Sequence, residues 1–293
     1  MGRNRLRNRN KTLPQRLVVV SNRVTPITGK QAATAGGLAV GVHSALNESG
    51  GLWLGWSGET TSDAPGETRV FTTGKVTYAL VDLRVSDLDA YYGGFSNRTL
   101  WPLLHYRLDL ATFDHQWYAT YRRVNRLFAE RLQPLLEEGD EIWIQDYHLI
   151  PMATELRRLG ITSRIGFFLH IPWPPAELVV TLPWHRQLAS DICAYDVVGF
   201  QTPVDVRHFR QYVISELQGT MTDEGAVRAL GRSFHTEAIP IGIDVDSFGA
   251  MAGSRDAANQ AKRVSHTLQD RDLIIGVDRL LAVLECPWCS RAG

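Results

Sequence analysis

The chain has 293 residues, and 31 Lys plus Arg against 31 Asp plus Glu give a formal charge of zero. At about 150 residues per domain this length fits two domains or one large α/β domain, and 44% hydrophobic residues supply an ordinary globular core. The balance excludes a disordered or collagen-like chain, a disulfide scaffold and a wholesale nucleic-acid binder; no apolar run approaches the roughly 18 residues of a membrane-spanning helix.

The neutral total hides an asymmetry. Arg3, Arg5, Arg7, Arg9, Lys11 and Arg16 open the chain with no acid among them, which leaves 25 bases against all 31 acids in the remainder. Residues 1–15 read as a basic disordered leader; they lack the apolar core of a secretory signal, and their alternating arginines share no helical face. Contact with nucleic acid or an anionic surface is the alternative for this stretch. The three cysteines fit a reducing, cytoplasmic setting. Cys193 lies in an apolar stretch and reads as a buried thiol. Cys286 and Cys289 form a lone Cys-Pro-Trp-Cys without the strand and helix of a redox pair or the second pair of a zinc site.

Arg16–Asn22 is a continuous β-branched run, the kind buried on both faces of a parallel sheet. After Ala35-Gly36-Gly37, apolar residues recur at helical spacing from Leu38 to Leu46 and stop at Ser49-Gly50-Gly51. Runs at Gly51–Trp56, Thr68–Thr72 and Val76–Leu83 predict a small antiparallel excursion. A long helix is predicted from about His115 to Leu136. Strand and helix then alternate: strand Glu141–Gln145, helix Leu149–Leu159, strand Arg164–Leu169, helical segments from Ala176 to Ala194, strand Asp196–Phe200, helix Pro203–Leu217 and strand Glu237–Ile241. This alternation with short links predicts an α/β fold, a Rossmann-like, mostly parallel, doubly wound sheet. Arg255–Gln269 reads as a polar helix and Asp272–Val277 as the first strand of a further unit.

Ligands of such sheets gather at the C-terminal edge of the strands. The residues just past each strand there are Asn22 and Arg23; Gln145, Asp146, Tyr147 and His148; His170; Gln201; and Gly242 with Asp244. Each alone is an ordinary loop residue, whereas their convergence points to a site. Gly36-Gly37 at a helix start forms either a tight turn or a phosphate cradle, and without Gly-x-Gly-x-x-Gly a nicotinamide site is disfavoured. Asp146 and His148 lack the further ligands a metal needs. Trp53, Trp56, Tyr92 and Trp101 are core aromatics or sugar-packing rings, and Arg23 suits a phosphate. Together these features suggest a sugar phosphate.

Arg16–Arg23 (RLVVVSNR), Ala35–Val42 (AGGLAVGV), Gly51–Glu59 (GLWLGWSGE), Asp89–Tyr92, Leu100–Pro102, Ile142–Pro151 (IWIQDYHLIP), Arg164–Pro174 (RIGFFLHIPWP), Gly199–Thr202 (GFQT) and Ile239–Asp244 (IPIGID) occur in this order. They resemble the motifs of the trehalose-6-phosphate synthases, retaining GT-B glycosyltransferases of family 20. The resemblance implies transfer of glucose from a nucleotide sugar, commonly UDP-glucose, to glucose 6-phosphate, with no metal or other cofactor and no nucleic-acid or membrane partner. It leaves a homo-oligomer open. Carried over motif by motif, Arg23 and Tyr92 would hold the acceptor phosphate and Trp101 would wall the acceptor sugar. Asp146 would accept bonds from acceptor hydroxyls, and Gly36 and Gly37 would offer amides to the donor diphosphate. His170 would touch the transferred glucose and help stabilise the departing charge, and Arg279 would neutralise the leaving diphosphate. On this pattern residues 16–252 form an acceptor domain, and 253–280 a linker helix with the first strand of a donor domain.

Past Leu280 the family's lysine motif does not follow, and residues 281–293 are unlike the family. That departure implies a chain interrupted by a frameshift or an assembly break, with little turnover alone. A non-catalytic sugar-phosphate-binding or regulatory module partnering a full-length synthase is the alternative. The nucleotide, UDP, GDP or ADP, is not legible in these residues.

Overall fold

A computed structural model of the chain describes residues 16–26, 37–242 and 245–268. In chain order the first half comprises β1 (Arg16–Arg23), α1 (Gly37–Ser49), β2 (Gly51–Thr61), β3 (Arg69–Thr73) and β4 (Val76–Arg84), then α2 (Val85–Leu88), a π-helical segment (Asp89–Leu100), α3 (Trp101–Leu104) and α4 (His115–Leu132). The second half comprises β5 (Asp140–Gln145), α5 (Met152–Arg158), β6 (Ile165–Leu169), α6 (Ala176–Val179), α7 (His185–Ile192), β7 (Val197–Phe200) and α8 (Pro203–Leu217), then β8 (Thr220–Met221), β9 (Val227–Ala229), β10 (Arg232–Ala238), α9 (Val245–Ala252) and α10 (Arg255–Leu268). Among the described residues all strands join one ten-stranded sheet in the order β3-β4-β2-β1-β5-β6-β7-β10-β9-β8. From β4 across to β10 every pairing is parallel. From β1 the chain moves outward to β2 and β4, then returns past β1 to β5. The β1–β5 boundary is therefore a topological switch point, the place where open α/β sheets bind their ligands.

The β-branched run of β1 explains its central place. Val18 and Val20 face one hydrophobic cluster and Val19 the other, all fully buried, so both faces of the strand carry helices. The foot of the strand is pinned by Arg16. Its Nε donates to Asp140 Oδ1 at 2.9 Å and its Nη2 to Asp140 Oδ2 at 2.7 Å, a two-point bond across the registered pair Arg16–Asp140. The opposite ends of β1 and β5 are left for the site.

The antiparallel excursion is narrower than the sequence suggested. β2 and β4 enter the parallel sheet and only β3 runs antiparallel, folded back on β4 through Gly74-Lys75. At the far edge a hairpin that the sequence reading passed over precedes the expected last strand. Leu230 (φ 52°) and Gly231 (φ 73°) make a two-residue turn of type I′ between β9 and β10, so β10 starts at Arg232 and ends at Ala238, short of Pro240.

Prolines set the other departures. The long helix α4 stops at Leu132, because Pro134 removes an amide donor and crowds the preceding turn. α5 begins only after Pro151, and the helical segments expected between Ala176 and Ala194 are α6 and α7, separated around Pro183. The N-terminus of α4 is capped by Asp114, whose Oδ1 accepts from the amides of Gln116 (2.7 Å) and Trp117 (3.0 Å). The helix buries Tyr121, Val124, Phe128 and Leu132. Beside this apolar stripe, Arg122 is ion-paired with Asp191 of α7 and with Glu155 of α5 at 3.1 Å, tying three helices together.

The chain divides into two compact units between Ile241 and Gly242. The first holds the whole sheet. The second, in its described part, holds α9 and α10, with α10 opened by Ser254 Oγ accepting from the Ala257 amide at 3.1 Å. Among the described residues no helix is long and apolar enough to cross a membrane. The predicted strand Asp272–Val277, the basic leader and Cys286 with Cys289 lie outside the described residues.

Candidate active site

The last residue of β1, Arg23, is exposed and projects from the switch point. Its guanidinium carbon sits 5.4 Å from the centre of the Trp56 ring on neighbouring β2. A β-carbon on Gly58 would approach Arg23 Nη2 to 2.9 Å, so the glycine, at φ +95°, leaves the space in which the guanidinium lies. None of the ion pairs among the described residues uses Arg23. An arginine held by a ring face and paired with no carboxylate is suited to an incoming anion.

A second wall comes from the π-helical segment. Tyr92 is 6.5 Å from Trp56 between ring centres, and its ring stacks on His148 at 5.6 Å and 16°. Tyr91 turns the other way and donates its hydroxyl to Asn22 Oδ1 at 2.9 Å, and the Tyr147 hydroxyl donates to Asn97 Oδ1 at 3.0 Å. Tyr92 and Asn97 are five residues apart. A π-turn brings i and i+5 onto one side, whereas an α-helix would set them about 140° apart. The π winding is thus what lets one segment meet both the ring column and Tyr147. Gly94 is required here, because a β-carbon would fall 2.6 Å from the Trp117 ring of α4.

Past β5, Asp146 takes φ 73° and ψ 168°, a region that side chains other than glycine rarely occupy and that costs about 1–3 kcal/mol. Three bonds over-determine it. Its amide donates to Phe168 O at 2.8 Å, its carbonyl accepts from Leu149 N at 3.0 Å, and its Oδ1 accepts from the His170 amide at 3.1 Å. Burial pushes the carboxyl up to about 7, opposed by the bonds from the Tyr147 and His170 amides. Asp146 keeps a partly open surface, and water there moderates the rise.

His170 follows β6, and its Nε2 is in hydrogen-bond contact with Gln145 Oε1 at 2.8 Å. Burial lowers His170 to about 4, so the ring is neutral at neutral pH. His148 is lowered to about 3, first by burial and then by His170. Both of its nitrogens are buried without a hydrogen-bond partner, and its ring packs against Tyr92 and against Tyr147, the latter at 3.9 Å. His148 therefore acts through its faces, and among the described residues no group of three or more His, Cys, Asp or Glu is placed to hold a metal.

The structure brings Arg23, Tyr92, Asp146 and His170 to the strand ends around the switch point. Trp101 lies at the end of the π-helical segment, with its ring stacked on His105 at 4.0 Å and held there by the His105 Nδ1–H bond to Trp101 O at 2.7 Å. Gly37 is the first residue of α1. Gly36, Asp244 and Arg279 lie outside the described residues. Gln201 is spent on structure, its Oε1 accepting from the Ile241 amide at 3.1 Å. From the sequence Trp56 reads first as a core aromatic and second as a sugar-packing ring. Its pairing with Arg23 has one local signal, the small Gly58 two residues on, which leaves room for a long side chain.

A doubly wound parallel sheet with a cationic and a carboxylate side chain at the C-terminal ends of the adjacent strands β1 and β5 defines a Rossmann-like ligand-binding domain. The comparisons narrow this class. The chain belongs to glycosyltransferase family 20, whose model matches residues 10–285. It is 47% identical over 268 residues to a trehalose-6-phosphate synthase of Sinorhizobium fredii, covering 90% of this chain and 58% of that protein. Among solved structures it resembles the UDP-forming alpha,alpha-trehalose-phosphate synthase of Burkholderia xenovorans in complex with glucose-6-phosphate, with a TM-score of 0.82 and 44% identity over 90% of this chain and 58% of that one. It also resembles the Escherichia coli enzyme bound with UDP-2-fluoro glucose, with a TM-score of 0.78 and 43% identity over 87% and 55%. The chain spans little more than half the length of the relatives it matches.

Proposed function

We propose that this chain supplies the acceptor side of a trehalose-6-phosphate synthase, binding glucose 6-phosphate at the β1–β5 switch point for glucosyl transfer from UDP-glucose. The observation that carries this reading is Arg23 at the end of β1, lodged on Trp56 and in no ion pair among the described residues, with Asp146 and His170 just past the ends of the next parallel strands β5 and β6. The glucose-6-phosphate in the Burkholderia structure and the UDP-2-fluoro glucose in the Escherichia coli one support the two substrates.

Arg23 and Tyr92 take the acceptor phosphate, Trp101 walls the sugar, and the Asp146 carboxylate accepts bonds from acceptor hydroxyls. Gly36 and Gly37 offer amides to the donor diphosphate, Gly37 as the first residue of α1. The reaction forms a bond from the acceptor's anomeric oxygen to the donor's anomeric carbon and breaks that carbon's bond to the diphosphate. With retention, attack comes on the same face, and the leaving phosphate takes the acceptor proton. A neutral His170, with Nε2–H bound to Gln145, offers Nδ1 as an acceptor to the transferred glucose. The growing negative charge then falls to cations such as Arg279. Residues 16–252 serve as the acceptor domain and 253–280 as the lead into a donor domain. The cytoplasm is the proposed setting.

Calorimetry with glucose 6-phosphate tests the reading. The chain is expected to bind, and Arg23→Ala to bind about tenfold to a hundredfold more weakly, the scale of losing a charged hydrogen-bond pair. Absence of binding by the unmodified chain overturns it.

A further inference from the structure

Gln145 ends β5 and is fully buried, yet no sheet or turn bond uses its side chain. Its Oε1 accepts from His170 Nε2–H at 2.8 Å, while its Nε2 has no partner. A buried amide with an unpaired donor carries a desolvation cost that packing alone does not require, since an apolar side chain of that size would fill the position without it. The bond to His170 joins the ends of β5 and β6, whose ladder pairs Gln145 with Phe168 and continues as Asp146 N to Phe168 O. The His170 ring is further fixed by an edge contact with Phe168 at 4.6 Å.

An acceptor oxygen on Nε2 decides where the ring proton sits. It keeps the proton on Nε2 and leaves Nδ1 with its lone pair. The partner's charge matters as well. Histidines in catalytic sites are often oriented by a carboxylate, which favours the imidazolium; an amide orients the ring without that pull. Among the described residues, titratable groups near the ring include Asp146, whose Oδ1 is engaged by the His170 amide, and His148, which lies close enough to oppose a second positive charge.

We propose that Gln145 is a positioning residue that holds His170 as the Nε2–H tautomer, leaving Nδ1 as the ring's hydrogen-bond acceptor at the site. Its significance for catalysis rests on the place of His170 in the synthase reading, but the tautomer is a property of the free chain and is measured without substrate.

Nitrogen-15 NMR of the histidine rings in the full chain reads the tautomer directly, with His170 assigned by comparison with His170→Gln. The unmodified chain is expected to show the proton on Nε2, with no titration of His170 near 6.5. Gln145→Leu, which removes the acceptor, is expected to give a mixture with the Nδ1–H form. Gln145→Glu, which places a carboxylate at the same point, is expected to raise the His170 midpoint by about 1–3 pH units. A proton on Nδ1 in the unmodified chain overturns the proposal whatever the variants do. So does an unchanged tautomer in a folded Gln145→Leu. Should glucose 6-phosphate fail to bind while the tautomer and its response to Gln145→Leu are as expected, the synthase reading fails and the positioning role stands.

Discussion

Asp146 and His170 share one loop junction, and burial acts on them in opposite senses. Asp146 is raised from 3.8 to about 7, so between those values the native state holds a proton that the unfolded chain has released. Its contribution to stability therefore declines as pH rises through that window. His170 is lowered from 6.5 to about 4, so the unfolded chain binds the extra proton and stability declines as pH falls from 6.5 toward 4. Where the windows overlap the two slopes oppose each other. Asp146→Asn removes only the first, so thermal melts should show the variant gaining on the unmodified chain as pH rises from about 4 to 7 and levelling off above. A difference independent of pH would contradict the raised carboxyl. In the same variant glucose 6-phosphate should bind more weakly, because an amide presents one acceptor oxygen where the carboxylate presents two.

At the scale of elements, the π-helical segment is the device that aims Tyr92. Its winding depends on close packing against α4, where Gly94 meets the Trp117 indole. Gly94→Ala must push the segment outward, with an expected destabilisation of about 1–3 kcal/mol by overpacking, read as a lowered midpoint in urea. Because Tyr92 lies two residues away, glucose 6-phosphate affinity should fall in the same variant. Unchanged stability and affinity would show that the segment yields at no cost. The loop carrying His170 is anchored from another element. Thr202 and Asp205 form a capping box on α8, and Asp205 Oδ1 also accepts from the Trp173 amide at 3.0 Å. Capping and loop placement are therefore one structural unit.

At the scale of the whole molecule, the sheet among the described residues gathers the candidate site groups at the C-terminal edge of its parallel strands. The alternation of strands and helices from β5 to α8, the burial of β1 on both faces and the strand-end positions of Arg23, Asp146 and His170 were legible in the residues. Hydrophobic period and turn chemistry are local, and in a parallel sheet they dictate which residues stand at the C-terminal edge. Other features were decided by tertiary contacts: β2 and β4 running parallel, the π winding around Gly94 and Trp117, the strained backbone of Asp146, the seat of Arg23 on Trp56, and the tautomer of His170. Each depends on groups far apart in sequence, and burial, close packing and shared hydrogen bonds act only when the fold brings those groups together.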